Sequence, residues 1–230
     1  MTARVSVKIC GLRTVEMAEQ VAGLSVDYVG FVFAPSKRQV TPQQAGDMIR
    51  SMKSAAGAKA PAAVGVFVNP TMEELEAVMR EAALDVVQFH GEESAEFCRA
   101  VKQAFPETRV FKVFTVKAGD TKAGNKSQGI SKLEPYRHAV DGMLLDTYDP
   151  VYGGGSGKTF AWDTIPPYLA WCREAGIPLL VAGGLQPDNV RDLLDAYTPD
   201  GVDVSSGVET EGVKDIVKIK KFVERVQTIV

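Results

Sequence analysis

The sequence predicts an α/β protein built as a single-domain (β/α)8 TIM barrel over residues 1–230. Short apolar runs alternate along the chain with segments whose apolar residues recur at helical spacing, which is the pattern of parallel strands joined by helices. Eight such strand runs can be found, and eight repeats allow a closed barrel, whereas a doubly wound sheet usually has fewer. A chain of 230 residues lies within the range of single α/β barrels.

The individual elements follow from these patterns. The predicted strands are Val5–Cys10, Asp27–Phe33, Ala63–Val68, Asp85–His90, Arg109–Phe114, Gly142–Asp146, Pro178–Ala182 and Val202–Ser205. The predicted helices are Pro42–Met52, Met72–Glu81, Glu93–Gln103, Trp162–Arg173, Pro187–Ala196 and Val213–Val226. Capping boxes begin two of them, at Thr41-Pro42-Gln43-Gln44 and at Thr71-Met72-Glu73-Glu74. In the fifth unit, a polar stretch from Lys117 to Gly129 predicts a long loop before a short helix around Ser131–His138.

Composition and charge exclude several classes of partner. Hydrophobic residues make up 45% of the chain, charged residues 24%, and the net charge is −3, which argues against nucleic acid or a membrane surface as a partner. The three cysteines, Cys10, Cys98 and Cys172, are too widely spaced for a disulfide framework or a zinc motif. The first residues lack the apolar core of a signal peptide, and no apolar run is long enough to span a bilayer. We therefore expect a cytoplasmic protein with reduced thiols.

Polar and reactive residues collect where the predicted strands end, which is where barrel enzymes place their active sites. Strand one ends in Cys10-Gly11, strand four in Gln88-Phe89-His90-Gly91, strand six in Asp146, and strand eight in Asp203-Val204-Ser205-Ser206-Gly207. Because alternate residues of a strand point to opposite faces, Lys8 and Cys10 should face the barrel interior if Val7 and Ile9 face the helices. The same parity turns Gln88, His90, Asp146, Asp203 and Ser205 inward.

Glycine clusters indicate a phosphate site. Gly183-Gly184 follow strand seven and Ser206-Gly207 follow strand eight, the two positions at which barrels often hold phosphate. A third cluster, from Gly153 to Thr159, is similar to a P-loop, but Tyr152 stands where that motif requires glycine. We interpret it as a glycine-rich loop that closes over a substrate.

Seven stretches, taken in order, resemble the phosphoribosylanthranilate isomerase family. They are Val7–Leu12, Gly30–Arg38, Val64–Asn69, Val87–Gly91, Leu145-Asp146 with the following Gly-Ser-Gly-Lys-Thr-Phe, Ala182–Leu185 and Gly201–Glu209. Each stretch alone is a weak signal, but together they extend over nearly the whole chain. The resemblance implies an isomerase of tryptophan biosynthesis, which converts N-(5-phosphoribosyl)anthranilate to 1-(2-carboxyphenylamino)-1-deoxyribulose 5-phosphate by an Amadori rearrangement.

The resemblance also implies roles for the residues that match the motifs. Cys10 matches the general base, Asp146 the general acid, and Arg38 the residue that pairs with the anthranilate carboxylate. Gln88, His90 and Asp203 match polar substrate positions, and the phosphate cradle matches Gly183, Gly184, Ser205, Ser206 and Gly207. The acid must be protonated at neutral pH, so we expect a raised pKa for Asp146, and we expect Lys8 to depress the pKa of Cys10. No metal or cofactor is expected, because the iminium intermediate is itself the electron sink; the protein would act as a monomer or homodimer.

Other interpretations remain open on the residues alone. Another sugar-phosphate barrel, such as an indole-glycerol-phosphate synthase or a ribulose-phosphate epimerase, would share the phosphate cradle. The synthase needs a catalytic lysine–glutamate pair, and a metal-dependent epimerase needs more strand-end histidines than His90 and His138 provide. A non-catalytic barrel that binds a phosphorylated ligand would keep the glycines without needing Cys10 or Asp146. A P-loop nucleotide hydrolase is the interpretation that the motif at 153–159 supports least.

Overall fold

The computed structural model describes residues 4–117, 130–148 and 162–228. Within these ranges eight parallel strands close into a barrel in chain order, β1 beside β2 and so on to β8, which pairs again with β1. The predicted fold class is therefore confirmed. Most of the Lys117–Gly129 stretch and the glycine cluster at 153–159 lie outside the described residues.

The strands lie close to their predicted positions. They are β1 (Ser6–Cys10), β2 (Tyr28–Val32), β3 (Ala62–Phe67), β4 (Val86–Phe89), β5 (Arg109–Lys117), β6 (Gly142–Tyr148), β7 (Leu179–Val181) and β8 (Gly201–Val204). Only β5 and β6 extend clearly further than the apolar runs indicate. These two strands stay paired from Phe111 opposite Gly142 to Lys117 opposite Tyr148, so backbone pairing continues beyond the apolar residues.

Helices cover the outside of the barrel. They are α1 (Val15–Ala22), α2 (Pro42–Ala56), α3 (Met72–Glu81), α4 (Ala95–Ala104), α5 (Ile165–Ala175), α6 (Val190–Tyr197) and α7 (Ile216–Gln227). Both predicted capping boxes are present, with the Thr41 and Thr71 hydroxyls each accepting a bond from the backbone three residues on. α1 has no counterpart among the predicted helices. No described helix is long and apolar enough to cross a membrane.

Of the expected helices, α5 and α6 begin three residues later than predicted, at Ile165 and Val190, and two others differ as follows. Around Ser131–His138 the regular segments of the described chain are an α-helical end at Ile130-Ser131 and a short 3-10 turn, Glu134–Tyr136. The last helix begins at Ile216 rather than Val213, because Val213–Lys214 (β10) pairs antiparallel with Glu209–Thr210 (β9). A small hairpin therefore follows β8, and it lies beside the cavity described below.

The predicted side-chain parity holds. Val7 and Ile9 pack into the large apolar layer between barrel and helices, while Lys8 lies fully buried inside the barrel. A second, smaller apolar cluster fills the barrel interior with Val64, Val86, Phe111, Val113, Leu144 and Leu180. Beyond this cluster, toward the carboxyl ends of the strands, polar side chains such as Gln88, Asp146 and Asp203 line a cavity.

Candidate active site

A cavity of about 430 Å³ opens at the carboxyl ends of the strands. Its volume falls in the range of small-molecule sites. Every residue that the sequence analysis assigned to a site lines it: Cys10, Arg38, Gln88, His90, Asp146, Gly183, Gly184, Asp203, Ser205, Ser206 and Gly207. The structure thus brings residues from six strands and their following loops into one place.

Cys10 is the last residue of β1, and its thiol needs the space that a glycine provides on the next strand. Gly30 of β2 lies directly opposite Cys10 in the register. A Cβ atom built at Gly30 would lie 2.8 Å from Cys10 Sγ and 3.1 Å from Cys10 Cα, closer than packed atoms tolerate. The thiol therefore occupies a place that any side chain at position 30 would take.

We expect Gly30→Ala to lower kcat about 10-fold or more, because small displacements of a reacting group are costly in rate. Overpacking should also lower stability by about 1–3 kcal/mol. The measurement pairs steady-state kinetics with thermal unfolding. Gly23→Ala is the matched control, since the nearest atom to its added methyl is 3.6 Å away. Unchanged turnover in a folded Gly30→Ala protein would show that the thiol position does not matter.

A buried charge pair lies beneath the thiol. Lys8 Nζ donates a hydrogen bond to Asp203 Oδ1 at 2.9 Å, and both side chains are almost completely removed from solvent. Burial disfavours the Lys8 ammonium, but the nearby Asp203 carboxylate and Cys10 outweigh it and raise the pKa of Lys8. Lys8 therefore remains a cation beside Cys10.

The expected depression of the Cys10 pKa is not what the structure gives. Burial is the largest influence on Cys10, and it disfavours the thiolate. Lys8 and Lys214 act in the opposite direction, while Asp203 adds to burial, so the pKa of Cys10 is raised overall. In the unliganded protein the thiol thus keeps its proton at neutral pH, and a positive charge brought by the ligand would favour the thiolate.

Asp146 and His90 form a close pair that also lines the cavity. His90 follows β4 and Asp146 lies in β6, with His90 Nε2 at 3.2 Å from Asp146 Oδ2. The two side chains are about one-third and one-quarter exposed, so solvent or a ligand reaches the pair from the cavity. A carboxyl and an imidazole at this distance can share or pass a proton.

Gln88 provides a polar atom that the described residues do not satisfy. Its side chain is buried on β4, and within the described chain its Oε1 has no hydrogen-bond partner. A buried carbonyl oxygen left without a donor costs free energy, commonly about 1–3 kcal/mol. Because Gln88 lines the cavity, a ligand hydroxyl placed there would satisfy it.

The loops after β7 and β8 have backbone shapes that suit an anion. Gly183 and Gly184 have φ values of 90° and 64°, which other residues rarely adopt. The loop after β8 turns through the 3-10 segment Ser206–Val208, and a Cβ atom at Gly207 would lie 1.8 Å from Leu185 O. Glycine is therefore required for the two loops to lie against each other at the rim.

Arg38 reaches the cavity but is already held by a carboxylate of the protein. Its Nε and Nη2 donate to Glu209 Oε1 and Oε2 at 2.6 and 2.9 Å. Lys214 Nζ donates to the same Glu209 Oε1 at 2.7 Å. Sequence reasoning assigned no role to Glu209 or Lys214; the only signal was the position of Glu209 at the end of a resembling stretch.

The family model for N-(5'-phosphoribosyl)anthranilate (PRA) isomerase matches residues 7–225 of the chain. The chain belongs to the phosphoribosylanthranilate isomerase family. A relative named N-(5'-phosphoribosyl)anthranilate isomerase from Brevibacillus brevis is 47% identical over 220 residues, covering 96% of this chain and 92% of that relative. One of the same name from Listeria monocytogenes is 42% identical over 219 residues, covering 95% and 96%.

Solved structures of phosphoribosylanthranilate isomerases share the fold. The crystal structure from Thermotoga maritima matches with a TM-score of 0.79 at 37% identity, over 98% of this chain and all of that one. A second phosphoribosylanthranilate isomerase, solved in complex with reduced 1-(o-carboxyphenylamino)-1-deoxyribulose 5-phosphate, matches with a TM-score of 0.74 at 34% identity, over 98% and 100% of the two chains. Family membership separates this chain from the synthase and epimerase barrels considered above.

Proposed function

We propose that this protein isomerises N-(5-phosphoribosyl)anthranilate to 1-(2-carboxyphenylamino)-1-deoxyribulose 5-phosphate in tryptophan biosynthesis. The observation that carries the proposal is the arrangement of Cys10 and Asp146, which extend from β1 and β6 into the same cavity. The reaction needs one acid and one base near a single sugar, and these are the two groups that such an arrangement offers.

In the first step Asp146 is the general acid. Its carboxyl proton passes to the furanose ring oxygen, the bond from that oxygen to C1 breaks, and the anthranilate nitrogen supplies the electron pair that forms the iminium. His90, whose Nε2 is 3.2 Å from Asp146 Oδ2, orients the carboxyl group. No metal is needed to polarise the ring, since protonation alone makes the oxygen a leaving group.

In the second step Cys10 is the general base. Its thiolate removes the proton from C2, the electrons flow into the iminium, and the resulting enolamine tautomerises to the ketone. The iminium adds a further positive charge to that of Lys8. That charge favours ionisation of the Cys10 thiol, whose pKa is otherwise raised by burial. Cys10 therefore becomes an active base once the iminium has formed.

The remaining cavity residues bind and orient the substrate. The loops with Gly183, Gly184, Ser205, Ser206 and Gly207 hold the phosphate, and Arg38 pairs with the anthranilate carboxylate. The bonds to Glu209 use the edge of the Arg38 guanidinium formed by Nε and Nη2, and in this proposal the edge formed by Nη1 and Nη2 binds the anthranilate carboxylate. Gln88 and Asp203 contact the sugar hydroxyls.

The setting of the reaction is part of the same proposal. We place the protein in the cytoplasm as one domain over residues 1–230, in keeping with three buried free thiols, Cys10, Cys98 and Cys172. It is a monomer or a homodimer. A relative from Thermotoga maritima is named dimeric, and light scattering on the purified protein decides between the two states here.

The direct test is an assay with freshly prepared phosphoribosylanthranilate. We expect the purified protein to abolish the fluorescence of this substrate in a time-dependent, saturable way, and to form the ketose phosphate in equal amount. EDTA should leave the rate unchanged. A folded protein that does not consume the substrate would refute the proposed activity, and loss of activity with EDTA would refute the metal-free mechanism.

A further inference from the structure

Glu209 is a buried carboxylate that the proposed chemistry does not use. It follows directly after the phosphate loop of β8 and begins the hairpin β9–β10, with its side chain only 6% exposed. One oxygen accepts from both Arg38 Nε and Lys214 Nζ, and the other accepts from Arg38 Nη2. Burial opposes its ionisation, yet these cationic donors lower the pKa of Glu209 to about 2, so it is a permanent anion between two cations.

Lys214 connects this carboxylate to the base. Its Nζ, only 5% exposed, donates to Glu209 Oε1 at 2.7 Å, to Ser205 O at 2.9 Å and to Ser205 Oγ at 3.3 Å. The Ser205 hydroxyl in turn donates to the backbone carbonyl of Cys10 at 3.0 Å. A chain of hydrogen bonds thus runs from Arg38 through Glu209, Lys214 and Ser205 to the residue that carries the thiol.

A packing contact closes this network on its other side. Gly11 follows Cys10 with a φ of 86°, and a Cβ atom there would lie 2.6 Å from Arg38 Cδ. The aliphatic stem of Arg38 therefore rests directly on the backbone beside the base. Arg38 is fixed at its stem by Gly11 and at its guanidinium by Glu209.

We propose that Glu209 and Lys214 are positioning residues, which align Arg38 for the substrate carboxylate and tie that alignment to the backbone of Cys10. The inference rests on the proposed function. The carboxylate of Glu209 occupies the Nε–Nη2 edge of the guanidinium, which fixes the plane in which the Nη1–Nη2 edge receives a second carboxylate. Arg38, Glu209 and Lys214 together carry one net positive charge, so this cluster attracts an anion.

Pre-orientation of this kind strengthens binding because the arginine does not lose rotamer freedom when the ligand arrives. It also predicts a specific dependence on the ligand. Glu209 should matter for ligands that carry the carboxylate and should be almost irrelevant for ligands that lack it. If Glu209 contributed only to stability, its loss would affect the binding of both kinds of ligand equally.

The test uses two stable probes, the reduced product 1-(o-carboxyphenylamino)-1-deoxyribitol 5-phosphate and the same compound without its carboxyl group. We expect Glu209→Gln to raise the Kd of the carboxylated probe about 10-fold, the worth of one charge-assisted hydrogen bond. The Kd of the second probe should change less than about two-fold. In an Arg38→Ala background Glu209→Gln should have no further effect on the carboxylated probe, because residues that act through one another are not additive.

Lys214→Met provides the second arm. It removes the bond to Ser205 as well as that to Glu209, so we expect it to lower kcat about 10-fold in addition to raising the Kd of the carboxylated probe. Glu134→Gln is the control, since Glu134 also forms a bidentate pair with an arginine, Arg137, but on the outside of the barrel. It should change neither the Kd of either probe nor kcat.

The outcomes separate the two proposals. If the unmodified protein neither consumes phosphoribosylanthranilate nor binds the carboxylated probe, the proposed function fails. If the unmodified protein does both, the positioning role is overturned when Glu209→Gln weakens the binding of both probes equally. It is also overturned when Glu209→Gln weakens the binding of neither probe. Should Glu209→Gln prevent folding, the Glu209→Gln/Lys214→Met double variant takes its place, because it removes both charges of the pair. The double variant must then weaken the binding of the carboxylated probe and leave the binding of the second probe almost unchanged.

Discussion

Replacing Cys10 with alanine is expected to lower kcat at least ~10²-fold, the usual contribution of a general base. The thiol lies at the end of β1, where it packs against Gly30, is close to the Lys8–Asp203 pair and lines the cavity. Alanine leaves the phosphate loops and Arg38 in place, so the Kd of the reduced product should change little. Steady-state kinetics and a probe titration on the same preparation measure both quantities.

Cys98→Ala is the matched control for this substitution. Cys98 is also a buried thiol, but it lies on α4 outside the cavity lining. It should lose some stability and keep its turnover within about two-fold. Near-normal turnover in a folded Cys10→Ala protein would remove Cys10 from the mechanism, whatever the control shows.

The pH dependence of the Cys10→Ala variant carries independent information. Its residual activity depends on the acid alone, and a general acid works only in its protonated form. The residual rate of Cys10→Ala should therefore not increase with pH. A residual rate that increased with pH would mean that another base has replaced the thiol.

The barrel and the inward-facing residues could be predicted from sequence because both depend on local rules. Strand parity placed Lys8 and Cys10 inside the barrel, and the same rule holds at Gln88 and Asp203. Chain order then brought the strand ends together, since parallel strands of a closed barrel share one rim. These inferences need only the spacing of apolar residues along each strand.

Two features could not be predicted because they depend on what surrounds a residue in three dimensions. The sign of the Cys10 pKa shift results from competition between burial and neighbouring charges, and a sequence shows the charge of Lys8 without the depth of the thiol. The Glu209–Lys214 pair depends on the hairpin β9–β10, which takes residues whose apolar spacing indicated a helix. Apolar residues recur at helical spacing from Val213 onward, so the sequence predicted a helix where the structure has the short strand β10.

Asp146→Asn is the second substitution from which we expect a loss of at least ~10²-fold in kcat. Asparagine has nearly the same shape as aspartate. It keeps a polar atom facing His90 Nε2, which lies 3.2 Å from Asp146 Oδ2 in the unmodified protein. It has no acidic proton to give to the ring oxygen, so ring opening becomes the slow step. Asp195→Asn is the control, because Asp195 forms an exposed ion pair with Arg191 on α6 and should keep full turnover.

Substrate deuterated at C2 distinguishes the acid from the base. In Asp146→Asn, ring opening precedes the C2 proton transfer and limits the rate, so the deuterium effect should disappear. In Cys10→Ala, proton transfer itself is slow, so the effect should be fully expressed. A full deuterium effect in Asp146→Asn would reverse the assignment, since it would place the carboxyl group at the C2 proton rather than at the ring oxygen.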